Sequence, residues 1–190
     1  MLFRSDANEF LFVGRLEPEK GIMLVLDTWR DYSDLPKLNI VGTGSVSKVA
    51  REYVSSLENV SFHGILNDDE LNSVASKCRT LIAPISWEEP FGRNLIEALS
   101  RGQSIVATKR GIVSNIVKEG VNGFFCELNT KSLKLAIDNS QKLDFHLQTN
   151  YSIQLWNKFF SDAIALQNWK RLYDNMEKEK DRKSTRLNSS

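Results

Sequence analysis

The chain has 190 residues, 41% hydrophobic and 26% charged, with a formal charge of +1. This is the make-up of an ordinary globular protein and leaves no charge excess that would draw it to nucleic acid or acidic lipid. The length suits one α/β domain and is short for two with separate cores, and no apolar run approaches the roughly 20 residues of a membrane span.

In chain order, residues 1–8 read as a lead-in, without the basic segment and apolar core of a secretion signal, so a cytoplasmic location is expected. Residues 9–13, rich in Phe and Leu and followed by Gly14, have the pattern of a strand buried on both faces. After a loop from Arg15 to Gly21, Ile22, Val25, Leu26 and Trp29 recur at i, i+3, i+4 and i+7, the apolar stripe of a helix. A second strand over 37–41 ends in Gly42-Thr43-Gly44-Ser45, and Val49, Ala50, Tyr53 and Val54 stripe the next helix. A short strand over 60–63 follows, ending in His63, which reads as a packed histidine. Asn67 and Glu70 then form a capping-box start for a helix through Lys77. Residues 81–85 are a fourth strand, and Leu95, Ile96 and Leu99 mark a helix that Gly102 ends. Residues 104–108 are a fifth strand, Gly111 opens a loop, and Gly120 to Gly123 form a turn before Phe124, Phe125 and Cys126.

Five or six strands alternating with helices predict a doubly wound, mostly parallel, Rossmann-like α/β sheet with helices on both faces. Beyond it, 130–140 and 161–176 read as helices, 144–160 is mixed and aromatic, and 177–190 is a charged stretch without periodicity that reads as a disordered tail or an appendage foreign to the domain. The expected domain is therefore 9–176. Cys78 and Cys126 lie outside any Cys-x-x-Cys pair, and with two histidines a metal site would have few ligands. Buried reduced thiols and no metal are expected.

Ligands of such sheets lie beyond the carboxyl ends of the strands, where the loops at 15–20, 42–44 and 89–92 fall. The stretch Trp87-Glu88-Glu89-Pro90-Phe91-Gly92-Arg93-Asn94-Leu95-Ile96-Glu97-Ala98-Leu99 draws attention among them. It runs from strand to loop to helix N-terminus, a place where free N–H groups and the helix dipole favour a phosphate or sugar oxygen. A plainer reading stands beside this one. Glu97 is spaced to pair with Arg93 and Arg101 on one helix, Glu89 suits a dipole-favoured acid before it, and Arg15 and Lys20 could be solvated charges. Trp87 reads as core or interface.

Four pieces in order then resemble the C-terminal domain of family 4 retaining glycosyltransferases of the GT-B fold, across roughly 9–176. They are Gly14-Arg15-Leu16 with Glu19-Lys20-Gly21; Ile40-Val41-Gly42-Thr43-Gly44; Glu89-Pro90-Phe91-Gly92-Arg93 with Glu97-Ala98-Leu99; and 102–108 with Gly120 to Gly123. The resemblance implies a nucleotide-sugar donor and hexosyltransferase-like chemistry without metal or cofactor. Arg15 and Lys20 would hold the distal phosphate, where cationic donors stabilise charge that grows as the sugar–phosphate bond breaks. Glu97 would accept both ribose hydroxyls. Glu89 would face the donor sugar as a catalytic or binding group. Backbone N–H groups of Phe91, Gly92 and Arg93 would meet sugar or phosphate oxygens, Gly14 would let the nucleotide approach, and Gly42, Gly44 and Ile65 would border the base.

Asn115 departs from the pattern, since many relatives carry an acid in that segment, and Lys109-Arg110 adds charge beside it. The acceptor-binding N-terminal half that the resemblance implies has no counterpart in these residues, so weak or absent turnover by the chain alone is expected. A non-catalytic nucleotide-sugar-binding or regulatory subunit paired with a separate acceptor subunit is the rival reading. A NAD-binding protein fits less well, because no Gly-x-Gly-x-x-Gly follows the first strand.

Overall fold

The computed structural model describes residues 6–187, with side chains described through residue 176. Six parallel strands form one sheet: β1 (Glu9–Val13), β2 (Leu38–Val41), β3 (Val60–Gly64), β4 (Cys78–Ala83), β5 (Ser104–Ala107) and β6 (Gly123–Phe125). Their order is β3-β2-β1-β4-β5-β6. This is the Rossmann arrangement, and the connections reverse direction between β1 and β4, which opens a crevice there.

The helices are α1 (Ile22–Asp31), α2 (Ser47–Val54), α3 (Asp68–Ala75), α4 (Arg93–Ser100), α5 (Val113–Ile116), α6 (Thr130–Gln141), α7 (Phe145–Phe159) and α8 (Asp162–Leu187). Successive strand side chains point to opposite faces, so the buried strands feed two cores. Phe10, Phe12, Leu38, Ile40, Ile82 and Val106 pack with Ile22, Leu26 and Trp29 of α1, Ala50 of α2, and Leu133 and Ile137 of α6. Leu11, Leu81, Ala83 and Ile105 pack on the other face with Ala75 of α3, Leu95, Ala98 and Leu99 of α4, and Val113 and Ile116 of α5. Helices thus cover both faces, as the alternation predicts.

Three segments differ from the sequence reading. The fourth strand starts at Cys78 and ends at Ala83 rather than running over 81–85, because Pro84 cannot donate to a ladder. Residues 145–159, without a clear apolar stripe, form the 15-residue helix α7, whose buried face is polar. Gln148 donates to the carbonyl of Gly102, and Ser152, one turn on, donates to that of Gln103 at 3.0 Å. Finally, α8 carries the backbone as helix to Leu187, into the stretch read as a disordered tail, while residues 188–190 and most of the lead-in lie outside the described residues.

The capping box is formed: Asn67 Oδ1 accepts from the Glu70 amide at 3.0 Å, and Glu70 Oε2 from the Asn67 amide at 2.9 Å. His63 is packed, its Nε2 2.9 Å from Asn39 Oδ1, and burial lowers its pKa. Cys78 and Cys126 are buried free thiols, each pushed up to about 12 by burial. Among the described residues no helix is long and apolar enough to cross a membrane.

Candidate active site

The crevice between β1 and β4 opens into a cleft of about 850 Å³. Its walls come from the loop after β1, the loop after β4, and the facing sides of α3 and α4. Two backbone links set the loops against each other. A 3-10 turn over Pro18–Lys20 closes with the Gly21 amide donating to Pro18 O at 3.0 Å, and the Ser86 amide donates to Glu19 O at 2.9 Å. The second link crosses from one loop to the other and brings Lys20 over the segment 87–89.

There Lys20 Nζ lies 2.7 Å from Glu89 Oε2 and 4.5 Å from the centre of the Trp87 ring, a cation–π distance. Trp87 Nε1 donates to the same Oε2 at 3.2 Å, while the Gly92 amide donates to Oε1 at 3.1 Å. Glu89 is 8% exposed, so its charge has to be met locally. Burial alone would raise its pKa. The Lys20 ammonium, through its hydrogen bond and its charge, and the amides of Gly92 and Phe91 outweigh that and hold the carboxyl below its ordinary value. The neighbouring Glu88 turns elsewhere: it accepts from the Gly111 amide at 2.6 Å and lies 3.6 Å from Arg110. Of two adjacent glutamates, only Glu89 lines the cleft.

Gly92 takes φ +69° as the N-cap of α4, and a Cβ there would stand 2.7 Å from Leu95 Cδ1 and 3.2 Å from Ile112 Cγ2. The missing side chain therefore serves a left-handed backbone and close packing, and the Gly92 N–H is taken by Glu89 rather than left for a sugar or phosphate. Asn94, which the motif reading passed over, ties the start of α4 to the first strand by donating to Val13 O at 3.1 Å. Gly14 lies under that link and lines the cleft, as do the exposed Arg15 and, across from it, Phe91 of the loop after β4 and Arg93 at the start of α4.

At the α3 end, Glu97 Oε1 is 3.8 Å from Arg93 Nη2, and Glu97 Oε2 is 3.9 Å from Arg101 Nη1. Both pairs expected from helical spacing form, at distances too long for hydrogen bonds. The Glu97 side chain is 40% exposed and lines the cleft with Arg101, Asn72 and Asp68. Helical spacing pointed to Arg101 as a partner of Glu97 but not to these α3 residues. The contact of Arg101 with Asn72 Oδ1 ties α3 to this end of the cleft.

Of the residues singled out in the sequence, Gly14, Arg15, Lys20, Glu89, Phe91, Gly92, Arg93 and Glu97 share this one cleft. Gly42, Gly44 and Ile65 are not in its lining. A Cβ on Gly42, at φ +133°, would fall 1.9 Å from the Gly14 carbonyl oxygen, so this glycine lets two strand ends meet. Ile65 is an exposed residue of the loop between β3 and α3. Trp87, read as core or interface, stands partly exposed in the cleft wall. Among the described residues no group of three or more His, Cys, Asp or Glu side chains is placed to hold a metal ion.

The chain is 29% identical to an uncharacterized glycosyltransferase of Methanocaldococcus jannaschii, MJ1178, over 90% of its own length and 49% of that protein's. It is 26% identical to the lipopolysaccharide 1,2-N-acetylglucosaminetransferase of Salmonella typhimurium over 63% and 35%. The chain thus spans half or less of the length of these curated relatives. Among solved structures, HepE of Anabaena in complex with UDP and glucose superposes with a TM-score of 0.76 at 20% identity, over 90% of this chain and 49% of that one. Sucrose-phosphate synthase of Thermosynechococcus elongatus gives 0.77 at 22% identity, over 93% and 47%. These two likenesses concern the fold. Residues 2–148 match the family model described as glycosyl transferases group 1, and the chain belongs to that family.

Proposed function

We propose that the cleft binds a nucleoside diphosphate sugar and that the chain acts as the donor-binding half of a retaining, family 4 glycosyltransferase. The observation that carries this reading is the Lys20–Glu89 pair at 2.7 Å, held with Arg15 in one cleft at the sheet's switch point. Two cations on a short loop suit a diphosphate, and a carboxylate kept ionised beside them suits the sugar. HepE, a structural neighbour, was solved with UDP and glucose, which supports a donor of this class.

In this mechanism the bond between the sugar's anomeric carbon and the phosphate oxygen breaks, and its electron pair stays on the leaving phosphate. Arg15 and Lys20 stabilise that charge more as it grows than before the bond breaks, which lowers the barrier. Glu89 faces the electron-poor sugar, and Glu97 accepts from the ribose hydroxyls. Lys20 exchanges Glu89 for the phosphate as its nearest anion. The sugar passes to an acceptor held by a second half, since the relatives are about twice as long. The chemistry needs no metal, and its place is the cytoplasm.

The test is calorimetric titration of the chain with UDP, ADP and GDP and their sugars. Binding of at least one is expected, weakened about tenfold by Arg15→Ala or Glu97→Ala. No binding by any of them overturns the proposal. Sugar transfer by the chain alone is expected to be weak or absent, and robust transfer would overturn the need for a second half.

A further inference from the structure

Arg101 is the C-cap of α4, just past Ser100 and one turn beyond Glu97, and its side chain is only 13% exposed. The two neighbouring positions that α4 buries, Ala98 and Leu99, are apolar. A guanidinium in such a place is costly unless its donors are used, and an apolar side chain of similar volume would fill the site more cheaply. Here the donors are incompletely used. Nε and Nη2 both reach Asn72 Oδ1 at a long 3.4 Å, and Nη1 is buried without a hydrogen-bond partner among the described residues. Burial lowers the Arg101 pKa, and the charges of Glu97 and Asp68 act against that. Asn72, Asp68, Glu97 and Arg101 all line the same end of the cleft.

We propose that Arg101, anchored by Asn72 of α3, is a positioning residue that fixes the Glu97 carboxylate for the ribose of a bound nucleotide. This inference rests on the ribose role given to Glu97 above. The geometry fits a two-sided grip: Oε1 of Glu97 faces the exposed Arg93, and Oε2 faces Arg101 Nη1 at 3.9 Å. A movement of roughly 1 Å by Glu97 would turn that separation into a charge-assisted hydrogen bond. The buried Nη1 would then gain its missing partner, and the carboxylate would be held with its remaining acceptor capacity toward the two ribose hydroxyls. An arginine fits this role because one edge of its planar fork can stay on Asn72 while another nitrogen serves Glu97.

The experiment is calorimetric binding of UDP, ADP and GDP, followed by the 2′,3′-dideoxy form of whichever binds most tightly. It is run on the native chain, Arg101→Met, Glu97→Gln and the double variant, with thermal unfolding of each. Arg101→Met is expected to keep or raise the unfolding temperature. It should weaken the ribonucleotide about tenfold and leave the dideoxy nucleotide unchanged. In the Glu97→Gln background the same substitution should cost nothing further, because the two residues act as one unit. Asn72→Ala, which frees the guanidinium without removing it, should weaken the ribonucleotide about threefold. It serves as the independent variant if Arg101→Met does not fold.

The inference is overturned if Arg101→Met weakens both nucleotides alike, if its effect persists without the Glu97 carboxylate, or if binding does not change. If Glu97→Gln leaves the preference for the ribonucleotide intact, the ribose role itself fails, and the inference with it. If Glu97→Gln erases that preference and Arg101→Met does not alter it, only the inference about Arg101 fails. No binding by any of the three nucleotides removes the proposed donor site and this inference together.

Discussion

Glu89 and Glu97 come from one loop-and-helix stretch and line one cleft, yet they are held in different ways. Glu89 is buried and engaged at both oxygens by Lys20, Trp87 and the Gly92 amide at 2.7 to 3.2 Å. Glu97 is 40% exposed, and its two arginine neighbours stand off at 3.8 and 3.9 Å. The first carboxylate is built into the architecture that joins the β1 and β4 loops. The second is accessible, with acceptor capacity left for a ligand. Disturbing Glu89 should therefore be felt in folding, and disturbing Glu97 mainly in binding.

The largest expected effect breaks the Glu89 side of this contrast. Lys20→Met removes the only cation within ion-pair distance of a buried carboxylate among the described residues, and should cost roughly 3 kcal/mol in urea unfolding. A loss below about 0.5 kcal/mol would place the pair among ordinary surface ion pairs. Next comes Gly92→Ala. It forces a left-handed φ on alanine and presses a Cβ against Leu95, and should cost about 2 kcal/mol. Circular dichroism melts would check it, and an unchanged melt would mean the loop relaxes freely.

A pH titration of stability sharpens the comparison further. The Glu89 carboxyl is held below its ordinary value in the folded chain, so its contribution is fully present above the unfolded-state value of about 4.3 and is lost as pH falls toward the folded value. Chemical unfolding measured from neutrality down through that window should show this loss. In Glu89→Gln the corresponding part of the slope should vanish, whereas an identical slope would assign the acid sensitivity to other groups. The smallest effect belongs to the Glu97 side. Arg93→Ala, which removes one of its two long pairs, should change stability by less than about 0.5 kcal/mol.

The sheet was legible because its strands alternate with striped helices and end in glycines, and both signals depend on local sequence. Helix α7 was not, since Gln148 and Ser152 bury polar groups against the Gly102 and Gln103 carbonyls and so erase the stripe. The loop motifs located eight of the eleven singled-out positions in the cleft. They could not show that Gly92 gives its N–H to Glu89, or that Gly42 serves the contact between strand ends. The long-range contacts of Trp87, Asn94 and Arg101 were hidden for a related reason. Their partners lie in distant segments, at Lys20, at Val13 and at Asn72, and nothing in the local pattern announces them.

The most direct measurement of the central claim is paired binding and unfolding on one preparation of Glu97→Ala, with the nucleoside diphosphate that the native chain binds most tightly. The account predicts an unfolding free energy within about 0.5 kcal/mol of the native chain together with about a tenfold or greater loss of affinity. A destabilised chain that binds the nucleotide with native affinity would contradict it.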